Sequence, residues 1–233
     1  MCCDRAAFDA TISTSMVFAN RHREHDPVWH VQIAMLVAIG LQLALPSMFV
    51  VGMRFGVPVV ELLLLAALSL TTPREKIFHS FARRLNVITL VVVASLANIY
   101  SLSVVVDKLL AGSHSADGRS LILAAINIYL TNIIIFALWY WEMDGGGPGE
   151  RQRIKGYEQD FMFPQHQNDS YRHPSWRPTF IDYLYVSSTN AMAFSPTDTL
   201  PLSRRAKLLM LMQAIVSLIT IALVAARAVN ILG

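Results

Sequence analysis

Between Ala206 and Ala226 the chain runs through 21 residues whose only formal charge is Lys207. A bilayer core about 30 Å thick asks for about 20 consecutive, mostly apolar residues in helical form, so this stretch meets the condition for crossing a membrane as one helix. The segment before it does not. Phe180 to Ala193, FIDYLYVSSTNAMA, has 14 residues, roughly 21 Å as a helix. A short helix, a turn of Ser, Pro, Thr and Asp, and a basic step precede the full-length apolar run. That order predicts a re-entrant helix over 180–193 and a final span over 206–232.

The rest of the chain is built on the same terms. Of its 233 residues 54% are hydrophobic and 15% charged, against about 25% charged in soluble domains. Four further apolar runs predict spans over 29–53, 56–72, 85–110 and 121–143. They follow a polar tail over 1–28 and form, with the last helix, one transmembrane domain over 29–233. The expected fold is all-α: a polytopic integral membrane protein with five transmembrane helices plus a short re-entrant helix before the last. Pro46 predicts a kink in the first span. Trp29 is expected to anchor that span at an interface, and Trp139, Tyr140 and Trp141 to form one side of an aromatic belt. Asn98, Asn127 and Asn132 are expected to face neighbouring helices, because an amide gains nothing from lipid.

Between the spans, Pro73 to Arg84 sets four basic residues among Ile77, Phe78 and Phe81. It reads as an amphipathic interfacial turn or, equally, as a basic loop. The glycine run of Asp144 to Glu150, DGGGPGE, ends the fourth span. No Lys-Ser/Thr pair follows these glycines, which excludes a phosphate-binding P-loop. Arg151 to Pro178 has Pro164, Pro174 and Pro178 and no helical period, and is expected to be an ordered loop on the membrane surface.

Orientation follows from the basic residues. With five spans, twelve Lys and Arg fall on the side of the N-terminus and three on the other, Arg54, Lys108 and Arg119. The positive-inside rule then predicts a multi-pass protein of the cell membrane with a cytoplasmic N-terminus. The net charge of +3 is thus spent on topology, and no nucleic-acid footprint is read from it. Cys2 and Cys3 are the only cysteines, so no disulfide framework or cysteine zinc site arises within the fold. They are either unmodified tail thiols or palmitoylated. The first 28 residues have no apolar core of signal-peptide type.

Chemistry is sparse. There is no HExxH, no Gly-x-Ser-x-Gly and no paired acidic motif of enzyme spacing, so no enzyme activity and no cofactor are expected. His22, His25 and Asp26, and separately His166, Asp169 and His173, match no specific ligand motif, and no metal site is assigned to them. The strongest site candidate is the turn from Ala193 to Pro201, where Ser195, Thr197, Asp198 and Thr199 supply oxygens after a short membrane helix. Such a turn is costly within a bilayer unless buried in protein or lining water. The plainer reading is an interfacial turn in which Asp198 or Ser203 caps the last helix. Asp182, Thr189 and Asn190 in the short helix complete the pore or ion candidates. Glu61, in the second span, is either a proton or cation ligand or a residue that snorkels or pairs with Arg54.

Phe180 to Leu232 resembles the pore helix, filter turn and inner helix of two-helix potassium channels, with Thr189, Asp198 and Pro201 in matching order. The glycines of such filters stand here as Ala193, Ser195 and Pro196, so the resemblance is to a degenerate filter and does not imply potassium selectivity. Residues 140–232 also resemble the uncharacterised bacterial membrane proteins called domain of unknown function thirteen forty-five. Asp182, Tyr183, Leu184, Tyr185, Ser187, Asp198, Arg204 and Arg205 carry that likeness, which implies architecture more than activity. The functional expectation is an ion channel-like or transport protein in contact with the lipid bilayer and a small cation, compatible with a homo-oligomer. The alternatives are a scaffold that binds partners through the 145–178 loop and, third, a membrane enzyme acting on lipid.

Overall fold

The computed structural model describes residues 28–46, 49, 55–70, 81–110, 118–153, 158–167, 176–195 and 198–232. Among the described residues there are eight helices: α1 Val28–Ala44, α2 Gly56–Leu70, α3 Phe81–Leu110, α4 Gly118–Met143, α5 Pro148–Arg153, α6 Pro164–Gln167, α7 Phe180–Ala193 and α8 Arg204–Leu232. A 3-10 turn over Asp144–Gly146 follows α4. Two short strands, β1 Phe161–Met162 and β2 Leu200–Pro201, pair antiparallel with Phe161 opposite Pro201 and Met162 opposite Leu200. The all-α architecture is therefore realised, with one small bridge that joins the expected loop to the expected turn.

Among the described residues three helices are long and apolar enough to cross a membrane: Ala82–Leu110, Arg119–Gly146 and Arg204–Ala226. The apolar helices Trp29–Ala44 and Gly56–Ala67 are shorter. The first departs from the kinked span expected over 29–53: α1 stops at Ala44, two residues before Pro46. Proline disfavours the helical region for the residue before it. Leu45 leaves the helix, its N–H tied to the carbonyl of Gln42 at 3.2 Å. α3 begins at Phe81, so Ala82 to Arg84 belong to the long helix. The rest of the expected interfacial turn, 73–80, lies outside the described residues, as does the tail 1–27.

α4 is the axis of the fold. It packs against α1, α3, α7 and α8, while α2 packs against α1 and α3. Antiparallel neighbours are tied by side chains: Gln32 to Ser69 at 3.2 Å between α1 and α2, and Trp139 to Ser95 at 3.0 Å between α3 and α4. One apolar core lies toward the C-terminal end of α4, where Met35, Leu90, Leu138, Tyr140, Trp141, Phe161, Phe180 and Tyr183 meet. A smaller one gathers Leu45, Phe49, Leu102, Val105, Leu121 and Ile128 near its start. The aromatic belt is corrected by this packing. Tyr140 and Trp141 are fully buried in the first core, because their helix is enclosed on several sides and those two positions face α7 and β1. Trp29 does stand out from the surface, 54% exposed.

α8 is the least enclosed of the long helices. Its buried stripe, Ala206, Met210, Gln213, Ser217 and Thr220, repeats every three or four residues, while Leu208, Leu211, Met212, Ile215 and Leu218 face outward. An apolar face of this width suits lipid contact, for which water is the wrong solvent.

Candidate functional site

α7 has the bounds expected of the short helix, 14 residues from Phe180 to Ala193. Tyr183, Ser187 and Asn190, at spacings of four and three, form its buried face, and Ile181, Tyr185 and Met192 its exposed one. That polar face meets the polar stripe of α8. Gln213 is the hub. Its Oε1 accepts from the Tyr140 hydroxyl at 2.5 Å and from Asn190 Nδ2 at 2.9 Å, and its Nε2 donates to Ser187 O at 2.9 Å and Ser187 Oγ at 2.7 Å. Ser187 Oγ in turn donates to Ile133 O at 2.7 Å, and Asn190 Nδ2 reaches Met210 O at 3.0 Å. One turn further along α8, Asn132 Nδ2 donates to Ser217 Oγ at 3.1 Å. The amide nitrogens of Asn132, Asn190 and Gln213 all find acceptors within this seam, which is the condition for keeping amides inside an apolar bundle.

A second polar knot closes the end of the bundle. The Asp144 carboxylate accepts from Asp160 N at 2.7 Å and Phe161 N at 3.3 Å on Oδ1, and from the Tyr183 hydroxyl at 2.5 Å on Oδ2. Buried Arg151 donates from Nη1 to Trp141 O at 2.7 Å and Asp144 O at 2.6 Å, with its guanidinium 5.1 Å from the centre of the Tyr183 ring. Nearby, the buried carboxylate of Glu142 meets Arg84 at 3.6 Å. Gly145, Gly146 and Gly147 all take positive φ, which lets the chain reverse directly above these carboxylates.

The knot fixes the path of the turn. Tyr183, in the first turn of α7, touches Asp144, and Leu202, two residues before α8, donates to Asp160 O at 2.8 Å. The start of α7 and the start of α8 therefore lie at the same end of α4. In between, α7 carries Asn190 to Met210 and Gln213, deeper in the bundle, before the chain returns. The return begins at Phe194, whose φ of 52° is left-handed, a conformation costing a non-glycine residue about 1 to 2 kcal/mol.

The expected site residues separate into distinct roles. Asp182 caps α7: it accepts from Thr179 N at 2.7 Å and Thr179 Oγ1 at 2.9 Å in a capping box. Thr189 Oγ1 bonds back to Val186 O at 3.0 Å. Asn190 belongs to the Gln213 seam. Ser195 and Asp198 are exposed, whereas Thr199 is buried with its Oγ1 3.4 Å from Asp198 Oδ1. Thr197 lies outside the described residues. Ser203 caps α8, its Oγ accepting from Ala206 N at 3.1 Å. Glu61 is fully buried and its Oε1 accepts from Gln42 Nε2 at 3.0 Å. Arg54 and both histidine groups apart from His166 lie outside the described residues. Of the three span asparagines, Asn132 is bonded across helices and Asn98 is buried, while Asn127 Oδ1 is buried with no partner among the described residues.

What emerges is an all-α protein with membrane-length helices around a buried polar seam, and a short helix packed against that seam. No protein-family model, curated protein or solved structure matches the chain. Its chemistry is read from its own residues.

Proposed function

We propose that the chain is a multi-pass membrane protein that conducts or transports a small cation through the unit formed by α7, the turn 194–203 and α8. In this reading α1 to α4 and α8 are five spans, α7 is re-entrant, and the N-terminus faces the cytoplasm of a cell membrane. The observation that carries it is the shared end of α7 and α8 at Asp144 and Asp160. Non-helical backbone at membrane depth is tolerated where it is buried in protein or lines water, and the turn after α7 has Ser195, Asp198 and Thr199 to offer to a cation. Phe194 adds support, since backbone strain held at a turn gathers at functional segments.

The described part of the 145–178 loop turns inward: Phe161 and Phe163 are buried and Asp160 ties α4 to α8. That use of the loop favours the transport reading over partner binding. The test is cation flux into liposomes holding the purified protein, compared with protein-free liposomes across several monovalent and divalent cations. Flux above the protein-free level is expected for at least one of them, and its absence for all would overturn the reading.

A further inference from the structure

Glu61 stands apart from the seam and is not explained by it. The buried face of α2 is Pro58, Glu61 and Leu65, and the opposite face, with Leu62 and Leu63, is exposed. Position 61 is one helical turn from Leu64, whose carbonyl accepts from Asn86 of α3 at 3.4 Å. An apolar side chain there would complete the stripe with no hydrogen-bond demand. Instead a carboxyl group is fully buried, with one oxygen held by Gln42 and the other, Oε2, without a hydrogen-bond partner among the described residues.

The charges of the neighbouring elements lie toward the ends of their helices. α1 carries only His30, three turns before Gln42. α3 has Arg83 and Arg84 at its start and Asp107 and Lys108 at its end. α4, which packs on α1 and α3, has Arg119 at its start and Glu142 at its end. Arg84 and Glu142 are engaged with each other. Among the described residues a bare carboxylate here has only a neutral amide to replace its hydration, and this is the arrangement least able to hold a charge. A carboxylic acid keeps the Gln42 bond on its carbonyl oxygen and carries its proton on the open one.

We propose that Glu61 is a proton-binding site, with Gln42 as its positioning residue, that takes up and releases a proton between α1 and α2. The site is independent of the cation route through α7 and α8 and stands or falls without it. Release leaves the carboxylate with the Gln42 amide as donor, and uptake restores the neutral acid, with no other bond made or broken.

Two measurements on the full chain in liposomes test it. In infrared difference spectra between the wild type and Glu61→Gln, a protonated carboxyl C=O band above the amide I region is expected, shifting down in heavy water and losing intensity as pH is raised. A carboxylate band alone, at every pH, would overturn the proposal. The second is chemical: dicyclohexylcarbodiimide, which enters lipid, takes the acid proton on nitrogen while the carboxylate oxygen adds to its central carbon, giving a stable N-acylurea after rearrangement. Peptide mass spectrometry is expected to find one added reagent on Glu61, in yield that falls severalfold as pH rises. No adduct at any pH, an adduct that millimolar sodium suppresses at constant pH, or one that appears only in Arg54→Ala would each overturn it. The last two outcomes would assign the carboxylate to a metal cation or to an ion pair.

Discussion

The hydroxyl of Tyr183 donates to Asp144 Oδ2 at 2.5 Å, joining the first turn of α7 to the end of α4 across 39 residues of chain. The carboxylate already accepts two backbone N–H groups from Asp160 and Phe161, so one side chain gathers three separate segments. Tyr183→Phe removes the donor and keeps the ring between Phe161, Phe163 and Arg151. The expected loss is about 1.5 to 3 kcal/mol, the range for hydrogen bonds to charged groups. It is read as a lower thermal midpoint in detergent, with earlier proteolysis of the loop between α6 and α7. An unchanged midpoint would show that the rings and backbone bonds hold α7 without the hydroxyl.

Gly147 permits the reversal above this knot. It has φ of +100°, and a Cβ there would lie 3.2 Å from Glu142 O and 3.3 Å from Glu142 Oε1. Gly147→Ala is therefore expected to destabilise by about 1 to 3 kcal/mol, because φ 100° with ψ 170° is a backbone region essentially reserved for glycine, and to loosen the Arg84–Glu142 pair. Gly40→Ala is the control. A Cβ at Gly40 meets nothing within 4 Å, and alanine in a helix interior gains up to about 1 kcal/mol over glycine. Opposite signs for the two substitutions in one unfolding assay check the assignment.

Much of this was legible in the chain. Apolar length marked the long helices, and the bounds of α7 follow from Thr179 and Asp182 at capping spacing before an apolar run. The polar seam was legible too, though only as a pattern: Gln213, Ser217 and Thr220 share one face of α8, and Ser187 and Asn190 one face of α7. Which face meets which is decided by packing, and the sequence carries no direct sign that Tyr140 points at Gln213 and not at lipid. The same gap explains the aromatic belt. Trp and Tyr near a helix end suit an interface or a core equally well, and the bridge between β1 and β2 brings the core to Tyr140 and Trp141. Four residues of pairing, two on each strand, are too few to leave a periodic signal.

Asn190 and Gln213 provide a direct measure of the seam. In a double-mutant cycle of Asn190→Leu and Gln213→Leu, the coupling energy is expected near the ~0.6 kcal/mol average of intramembrane hydrogen bonds and below about 1.7 kcal/mol. Gln213→Leu alone should cost more, about 1 to 3 kcal/mol, since it strands the Tyr140 hydroxyl and the Ser187 carbonyl together. Unfolding in bicelles or detergent measures both. Zero coupling would mean that these amides find other partners when one is removed.

Topology is tested by single cysteines at Glu158, Arg205 and Gly233 in a chain lacking Cys2 and Cys3. Glu158 and Arg205 are exposed and flank the segment that carries α7. With α7 re-entrant, both are expected to react with an impermeant maleimide from the cytoplasmic side, and Gly233 from the other. Labelling of Glu158 and Arg205 from opposite sides would make α7 a crossing helix, and would also reverse the basic-residue count for Arg204, Arg205 and Lys207.

Asp198 separates conduction from folding. Ser203 provides the N-cap of α8, so Ser203→Ala is expected to cost about 1 kcal/mol of stability while the flux per folded protein stays the same. Asp198→Asn keeps size and hydrogen-bonding capacity and removes one charge from an exposed turn, where Thr199 Oγ1 stands 3.4 Å from the carboxylate. Its stability should match the wild type, and cation flux should fall severalfold because the turn then offers only neutral oxygens to the ion. Flux that is indifferent to Asp198→Asn would remove the turn from the ion path. Loss of folded protein in Asp198→Ala, with Asp198→Asn intact in both stability and flux, would instead assign the side chain to holding the turn. The carboxylate is then a hydrogen-bond acceptor whose charge is incidental, and the path for ions has to be sought elsewhere along the bundle.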